Sequence, residues 1–302
     1  MRRRFWPACA VLLAFVVLAG VGASKADAAT YVVNTFDVDL PDANTGLANC
    51  DANAGVLGDQ CTLRAAIMQA NAAPGQDTIV LPLDVTITLT LGGVGGAENG
   101  DLDITAPVII TGISLGAPAD ASRLPIIEAP ANDRIFDIAQ GVAVELRGLQ
   151  LRNGQPTGVA GTNGGALRVL SATAQVQVDR VRFSDNDAGN GAAVSNAGTL
   201  EILLSDFVRN RTSANGAAIF TASSGSTSLR QSSIRSIRDD SAVAEAIYAA
   251  QGSTLLVENS LIDGTPPFVG ATATGGINAD RPASLTVRNS TLSDFTTTAF
   301  NA

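Results

Sequence analysis

Glu145 and Glu201 occupy matching places in two similar segments, Val144-Glu145-Leu146 and Leu200-Glu201-Ile202. Stacked as strands two rungs apart, their carboxylates would lie about 9 to 10 Å from each other, near the upper limit at which an acid and a base flank a sugar and a water. Ser205, Ser232, Ser260 and Ser290 also recur at one position. A serine becomes a nucleophile only beside a base, and the chain has no histidine. These serines therefore read as a file of hydroxyls that satisfies itself along a stack. Without histidine there is no imidazole metal site either. Asp37, Asp39, Asp42, Asn44, Asp51 and Asn53 gather oxygen ligands of the type calcium prefers, but Asp37-Val38-Asp39 lacks the glycine and distal glutamate of an EF-hand loop. The plainer reading is a solvated loop whose Asn and Asp side chains shape turns, and no cofactor is expected. Gly92-Gly93-Val94-Gly95-Gly96 is likewise loop, without the lysine and helix of a phosphate cradle.

The elements that position these groups are repetitive. Val144, Leu146, Leu149 and Leu151 return as Val176, Val178, Val181 and Phe183, then as Leu200, Ile202, Ser205 and Phe207. Three more copies follow: Thr227, Leu229, Ser232, Ile234; Leu255, Val257, Ser260, Ile262; and Leu285, Val287, Ser290, Leu292. Alternation at i and i+2 means a strand with one buried face, and the three-residue step to the next inward position marks a bend. First slots lie 32, 24, 27, 28 and 30 residues apart, a loose period that predicts an all-β solenoid, a stacked parallel β-helix over residues 78–302. Upstream, from Thr78 to Ile138, the expected coils are irregular: Ile79 to Leu81, Val85 to Leu91, Leu102 to Ile104, Val108 to Ile113 and Ile126-Ile127. A small residue followed by a branched one recurs at Ala166-Leu167, Ala193-Val194, Ala218-Ile219, Ala246-Ile247 and Gly276-Ile277, the opening of a third strand at a crowded corner. The longer insertions before that corner, Gly154 to Asn163, Arg235 to Glu245 and Asp263 to Gly275, fall on one edge, the expected binding surface. Arg230, Glu258 and Arg288 share an outward slot and predict a ladder of alternating charge.

Arg2-Arg3-Arg4, the apolar run from Ala8 to Val21 and the small residues Ala26-Asp27-Ala28 form a cleavable signal peptide, residues 1–28. No transmembrane segment is expected after its removal. Removal takes Arg2, Arg3, Arg4, Lys25 and Asp27, leaving fifteen Arg and no Lys against twenty-seven Asp plus Glu, a net charge of −12. Such a surface repels nucleic acid and anionic lipid, so no nucleic-acid partner is expected. The lone tryptophan, Trp6, leaves with the signal and with it any tryptophan platform for sugars. Cys50 and Cys61 remain, an even pair in an exported chain, and predict a disulfide that staples the loop Asp51 to Gln60.

After that loop, Leu63, Ala66, Ile67 and Ala70 fall at helical spacing, with Thr62 as N-cap and Pro74-Gly75 as the stop. Tyr31 to Val33 as a strand, the bridged polar loop, Cys61-Thr62-Leu63-Arg64-Ala65-Ala66-Ile67 with Ala70-Asn71, then Asp77-Thr78-Ile79, resemble the CSLREA domain family of exported bacterial β-helix proteins. Asn99-Gly100-Asp101-Leu102-Asp103-Ile104, Asp133-Arg134-Ile135-Phe136, Leu149-Gln150-Leu151-Arg152-Asn153-Gly154 and Gly164-Gly165-Ala166 extend the likeness over nearly the whole mature chain. Thr62 stands for the motif's serine, and Ala65 for its glutamate, which would have closed a capping box. The resemblance implies export, a right-handed parallel β-helix of the pectin-lyase-like type behind a cap at 29–77, and a secreted, periplasmic or surface role. It implies no single reaction. An open β-helix end must be covered, and the helix Thr62 to Asn71 is the predicted cover.

Two classes of function compete. Fold kinship with polysaccharide lyases and glycosidases suggests an enzyme acting on an acidic polysaccharide. A polygalacturonase-like site would be expected to show a histidine, and Asp239-Asp240 alone is an acidic turn. A pectate-lyase-like site would present Arg-x-Pro-x-x-Arg, whereas Arg123-Leu124-Pro125-Ile126-Ile127-Glu128 ends on the wrong charge. A structural, adhesive or glycan-binding role, with a surface glycan or another protein as partner, needs only a rigid rod with a variable edge. This is the preferred reading, without a catalytic residue. No second capping helix follows Leu292, so end-to-end association of copies, or continuation into a longer array, is expected there.

Overall fold

The computed structural model describes residues 28–301 except 48, 94, 113–122, 130–132, 157–161, 240–244, 266–274, 283 and 296–299. The expected signal peptide lies outside the described residues but for its last residue. So does much of the expected binding edge.

The chain is a parallel β-helix. Coil 1 consists of Asp77–Val80, Thr86–Thr88 and Leu102–Ile104, and coil 2 of Val108–Thr111, Ile126–Glu128 and Phe136–Ile138. Coil 3 is Ala143–Arg147, Gln150–Arg152 and Leu167–Val169. Coils 4, 5 and 6 begin at Gln175–Asp179, Thr199–Leu203 and Ser226–Arg230, coil 7 at Thr254–Glu258 and coil 8 at Ser284–Arg288. First strands of successive coils pair into one sheet, second strands into another and third strands into a third. A short fourth sheet, Asp187–Asn190, Arg211–Asn215 and Arg238–Asp239, lies between the second and third strands of coils 4 to 6.

Register follows the inward slots. Val176 pairs with Val144 and Leu200, Thr227 with Leu200 and Leu255, and Leu255 with Leu285. Leu151, Phe183, Phe207, Ile234 and Ile262 form the buried file of the second sheet, and the Phe183 and Phe207 rings stack at 4.7 Å. Leu167, Val194, Ile219, Ile247 and Ile277 form that of the third. The early coils are more regular than their sequence suggests, since Val108 and Ile110 lie in register with Val144 and Leu146, and Asp77 and Ile79 with Val108 and Ile110. Asp77 hid this. It is a fully buried carboxylate at an inward slot, where its Oδ1 accepts the Ala29 amide at 2.7 Å.

The three-residue step has a backbone cause. Arg180, Leu204, Gln231, Asn259 and Asn289, each just after a first strand, take left-handed φ of 47 to 54°. This turns the chain sharply but strains an L-residue. The amide after the corner is satisfied across the stack: Val181 donates to Ser205 Oγ, Ser205 to Ser232 Oγ, Ser232 to Ser260 Oγ and Ser260 to Ser290 Oγ, at 3.1 to 3.2 Å. Each of these serines donates to the carbonyl two residues back, as Ser205 does to Leu203 at 2.8 Å. The serine file thus pairs through backbone, not hydroxyl to hydroxyl as its sequence position suggests.

The N-terminal part covers the first coil. Thr30–Val32 adds a parallel strand beside Asp77–Val80, and the helix Leu63–Ala72 buries Leu63, Ala65, Ala66, Ile67 and Ala70 against the core. Thr62 caps it, its Oγ1 accepting the Ala65 amide at 3.0 Å. Asn71 closes the free edge of Leu102–Ile104, donating to the Asp103 carbonyl and accepting the Thr105 amide, both at 2.8 Å. Cys50 and Cys61 form the disulfide, Cα atoms 5.0 Å apart.

Candidate functional site

In coils 3 to 5 the second corner builds a trough. Asn153, Asp185 and Arg209, in coils 3, 4 and 5, take φ of 59, 57 and 55° and send their side chains outward. The following residues turn inward. Gly154 donates its amide to Asn186 Oδ1, and the Asn186 amide and Nδ2 both donate to Asn210 Oδ1. Asn186 and Asn210 are fully buried and also donate to the carbonyls of Leu151 and Phe183. Coil 3 has glycine in this row because the Gly165 carbonyl would lie 1.9 Å from a Cβ there. One residue further, Gln155, Asp187 and Arg211 face outward again.

Two outward polar rows flanking an inward one leave a groove of about 450 Å³ across coils 3 to 5. Within it Arg209 donates Nε and Nη2 to the two oxygens of Asp185, both at 2.7 Å, which raises the Arg209 pKa. Arg211 donates Nε to Asp187 at 2.9 Å, and Gln155 Nε2 reaches the same carboxylate at 3.1 Å. These pairs are half-open to solvent. The groove borders the insertion that begins at Gly154, part of the edge singled out in the sequence.

A second cluster lies at the N-terminal end of the third sheet. One carboxylate oxygen each from Asp101, Asp103 and Asp137 lie within 4.8 Å of one another. Two guanidiniums already answer them: Arg134, fully buried, is 3.1 Å from Asp101 and 3.7 Å from Asp137, and Arg168 is ion-paired with Asp137 one rung along. Burial, opposed by Arg134, pushes Asp101 up to about 6. Burial, with Asp101 and Asp137 adding to it, pushes Asp103 up to about 7. Asp103 also lines an open cleft of about 520 Å³ beside Glu98 and the helix end at Asn71 and Ala72.

The acidic loop is built as a turn framework. Asp42 accepts the Asn44 and Asp51 amides, Asn44 that of Gly46, Asp51 those of Asn53 and Gln60, and Asn53 that of Gly55. Asp39 is buried and committed elsewhere. It receives Arg64 Nε at 2.7 Å and Nη2 at 3.0 Å, and its Oδ2 accepts the Thr90 and Leu91 amides. Arg64, fully buried, also donates to the carbonyls of Ala97 and Gly100, both at 2.8 Å. One ion pair thereby ties the cap to the glycine-rich loop between the second and third strands of coil 1.

The other candidate residues stand apart from both clusters. Glu145 and Glu201 do share a slot, on either side of Gln177, but Arg147 binds Glu145, with Nε at 2.6 Å. Arg230 and Arg288 flank Glu258 at 3.4 and 2.9 Å, the expected ladder. Arg123 pairs with Asp84, and Glu128 with Arg152. Asp239 lies on the fourth sheet, and Asp240 lies outside the described residues. The sequence reading missed Arg64, the Asp185–Arg209 and Asp187–Arg211 pairs, and the buried asparagines. A repeated signal near this corner was present in Asn163-Gly164, Asn190-Gly191 and Asn215-Gly216, which follow it and lead into the third strand in three coils, the glycines at φ of 59 to 67°.

No family model, no curated protein and no solved structure matches the chain.

Proposed function

We propose that this chain is an exported β-helix protein of the CSLREA kind that acts outside the cytoplasm as a binding and structural element, holding a glycan along its side. The observation that carries this reading is the groove across coils 3 to 5, a concave, half-open strip of paired charges and amides on a rigid stack. The Cys50–Cys61 bridge suits an oxidising compartment, and no helix among the described residues is long and apolar enough to cross a membrane. Incubating the mature chain with pectins, alginates and glycosaminoglycans, beside a glycan array, tests the reading. Saturable binding without unsaturated products or new reducing ends is the expected result. A second reading, a polysaccharide lyase or glycosidase, draws its support from Asp103, a carboxyl that titrates near neutrality beside Glu98 in a cleft, the condition a general acid needs. Turnover that disappears in Asp103→Asn would establish that reading in place of the first.

A further inference from the structure

Resting on the glycan-binding reading, we propose that the groove across coils 3 to 5 takes a neutral, hydroxyl-rich glycan and discriminates against acidic ones. Its two carboxylates and two guanidiniums cancel, and each cation is already engaged. Arg209 spends Nε and Nη2 on both oxygens of Asp185, and Arg211 meets Asp187 together with Gln155. A uronate entering the groove would have to compete with Asp185 and Asp187 for the two guanidiniums, and it would face both of those carboxylates. A sugar hydroxyl meets no such conflict. It is donor and acceptor at once, and the groove places carboxylate oxygens, guanidinium N–H groups and the amides of Asn153 and Gln155 side by side.

The geometry gives the ligand an extent. Asn153, Asp185 and Arg209 are one rung apart, as are Gln155, Asp187 and Arg211, so each row runs about 10 Å along the axis at about 4.8 Å per rung. The span fits two or three sugar units lying along the stack. Stability alone does not account for the pairs, because half-exposed ion pairs contribute little to folding. What distinguishes them from Glu128–Arg152 on the open face of the second sheet is the corner, whose inward asparagine row sinks the floor between them.

The test is calorimetry of the mature chain with maltotetraose, cellotetraose and mannotetraose against tetragalacturonate, at 20 and 200 mM salt. The native protein should bind at least one neutral tetrasaccharide with an affinity that salt leaves unchanged, and tetragalacturonate about tenfold more weakly or not at all. Asp185→Asn frees Arg209. It should weaken the neutral ligand about tenfold and bring in salt-sensitive binding of tetragalacturonate. Tighter binding of tetragalacturonate by the native protein overturns the inference and leaves the glycan-binding reading standing. Binding of none of the four by the native chain overturns both. Since the native comparison decides, a poorly folding variant does not rescue the idea.

Discussion

The cap and the stack solve the same problem, buried polar groups, in opposite ways. In the stack a side chain's partner is its counterpart one rung away: Ser232 serves the Ser205 amide as Ser260 serves that of Ser232, and Asp185 meets Arg209. In the cap each contact is made once and over distance, as when Asp39 accepts amides 51 and 52 residues away while Arg64 reaches across to Ala97 and Gly100. The stack hides its inward apolar rows through coil 7 and exposes Leu83, Leu170, Leu203, Leu204 and Leu261 only outside those rows, whereas the cap leaves Val32, Phe36, Val38, Leu40, Leu47, Val56 and Leu57 exposed. Repetition makes register robust, because every coil templates the next. A single-use contact has no such redundancy, and the cap compensates with a disulfide and a buried ion pair.

The largest effect should come from a charge in the stack. Val257 is fully buried between Leu229 and Val287, and Val257→Asp places a carboxylate with no cation in reach, at a cost of several kcal/mol, roughly 3 to 5. Thr254→Asp, at the half-buried start of the same strand, should cost less than about 1 kcal/mol. Equal melting of the two variants would refute the register.

Next is the cap. Arg64→Ala leaves Asp39 buried and the Ala97 and Gly100 carbonyls without that donor, an expected loss of about 3 to 5 kcal/mol. Removing both partners, as Asp39→Ala with Arg64→Ala, should cost less than the sum of the two single changes. A double-mutant cycle by denaturant unfolding measures the difference, and simple additivity would mean that the pair does not couple the cap to coil 1.

The smallest effect sharpens the boundary between the two regions. Burial raises the folded pKa of Asp103 from the ordinary carboxylate range to about 7, so between those values the folded state holds a proton that the unfolded state releases. Its contribution to stability is fully present below about pH 4, falls as pH rises from 4 to 7 and is constant above that. Asp103→Asn removes this slope. Its melting temperature relative to the parent should therefore rise between pH 5 and pH 8, and a pH-independent difference would contradict the raised pKa.

Much of the fold is legible because burial in a β-helix is encoded locally. Val144 to Leu151 and Leu255 to Ile262 carry their inward faces in their own alternation, Ala193-Val194 marks its own corner, and Thr62 caps its helix whatever lies around it. The acid loop likewise became the turn framework its Asn and Asp content suggested. Coils 1 and 2 were harder to read because Asp77 breaks the apolar slot, although one oxygen of its carboxylate accepts the Ala29 amide.

What the amino-acid order determined by itself was therefore the period, the inward rows, the cysteine pair and the chemistries ruled out by the missing histidine. Tertiary structure decided which polar groups meet. Arg64 gives no sign in sequence of being buried, Asp185 and Arg209 are 24 residues apart, and Asp101, Arg134 and Arg168 come from three different coils. The reason is physical. Inward slots repeat with the strand period and can be counted, but the partner of an outward charge depends on how many residues each coil spends on its loops, and that is settled only when the coils close and stack.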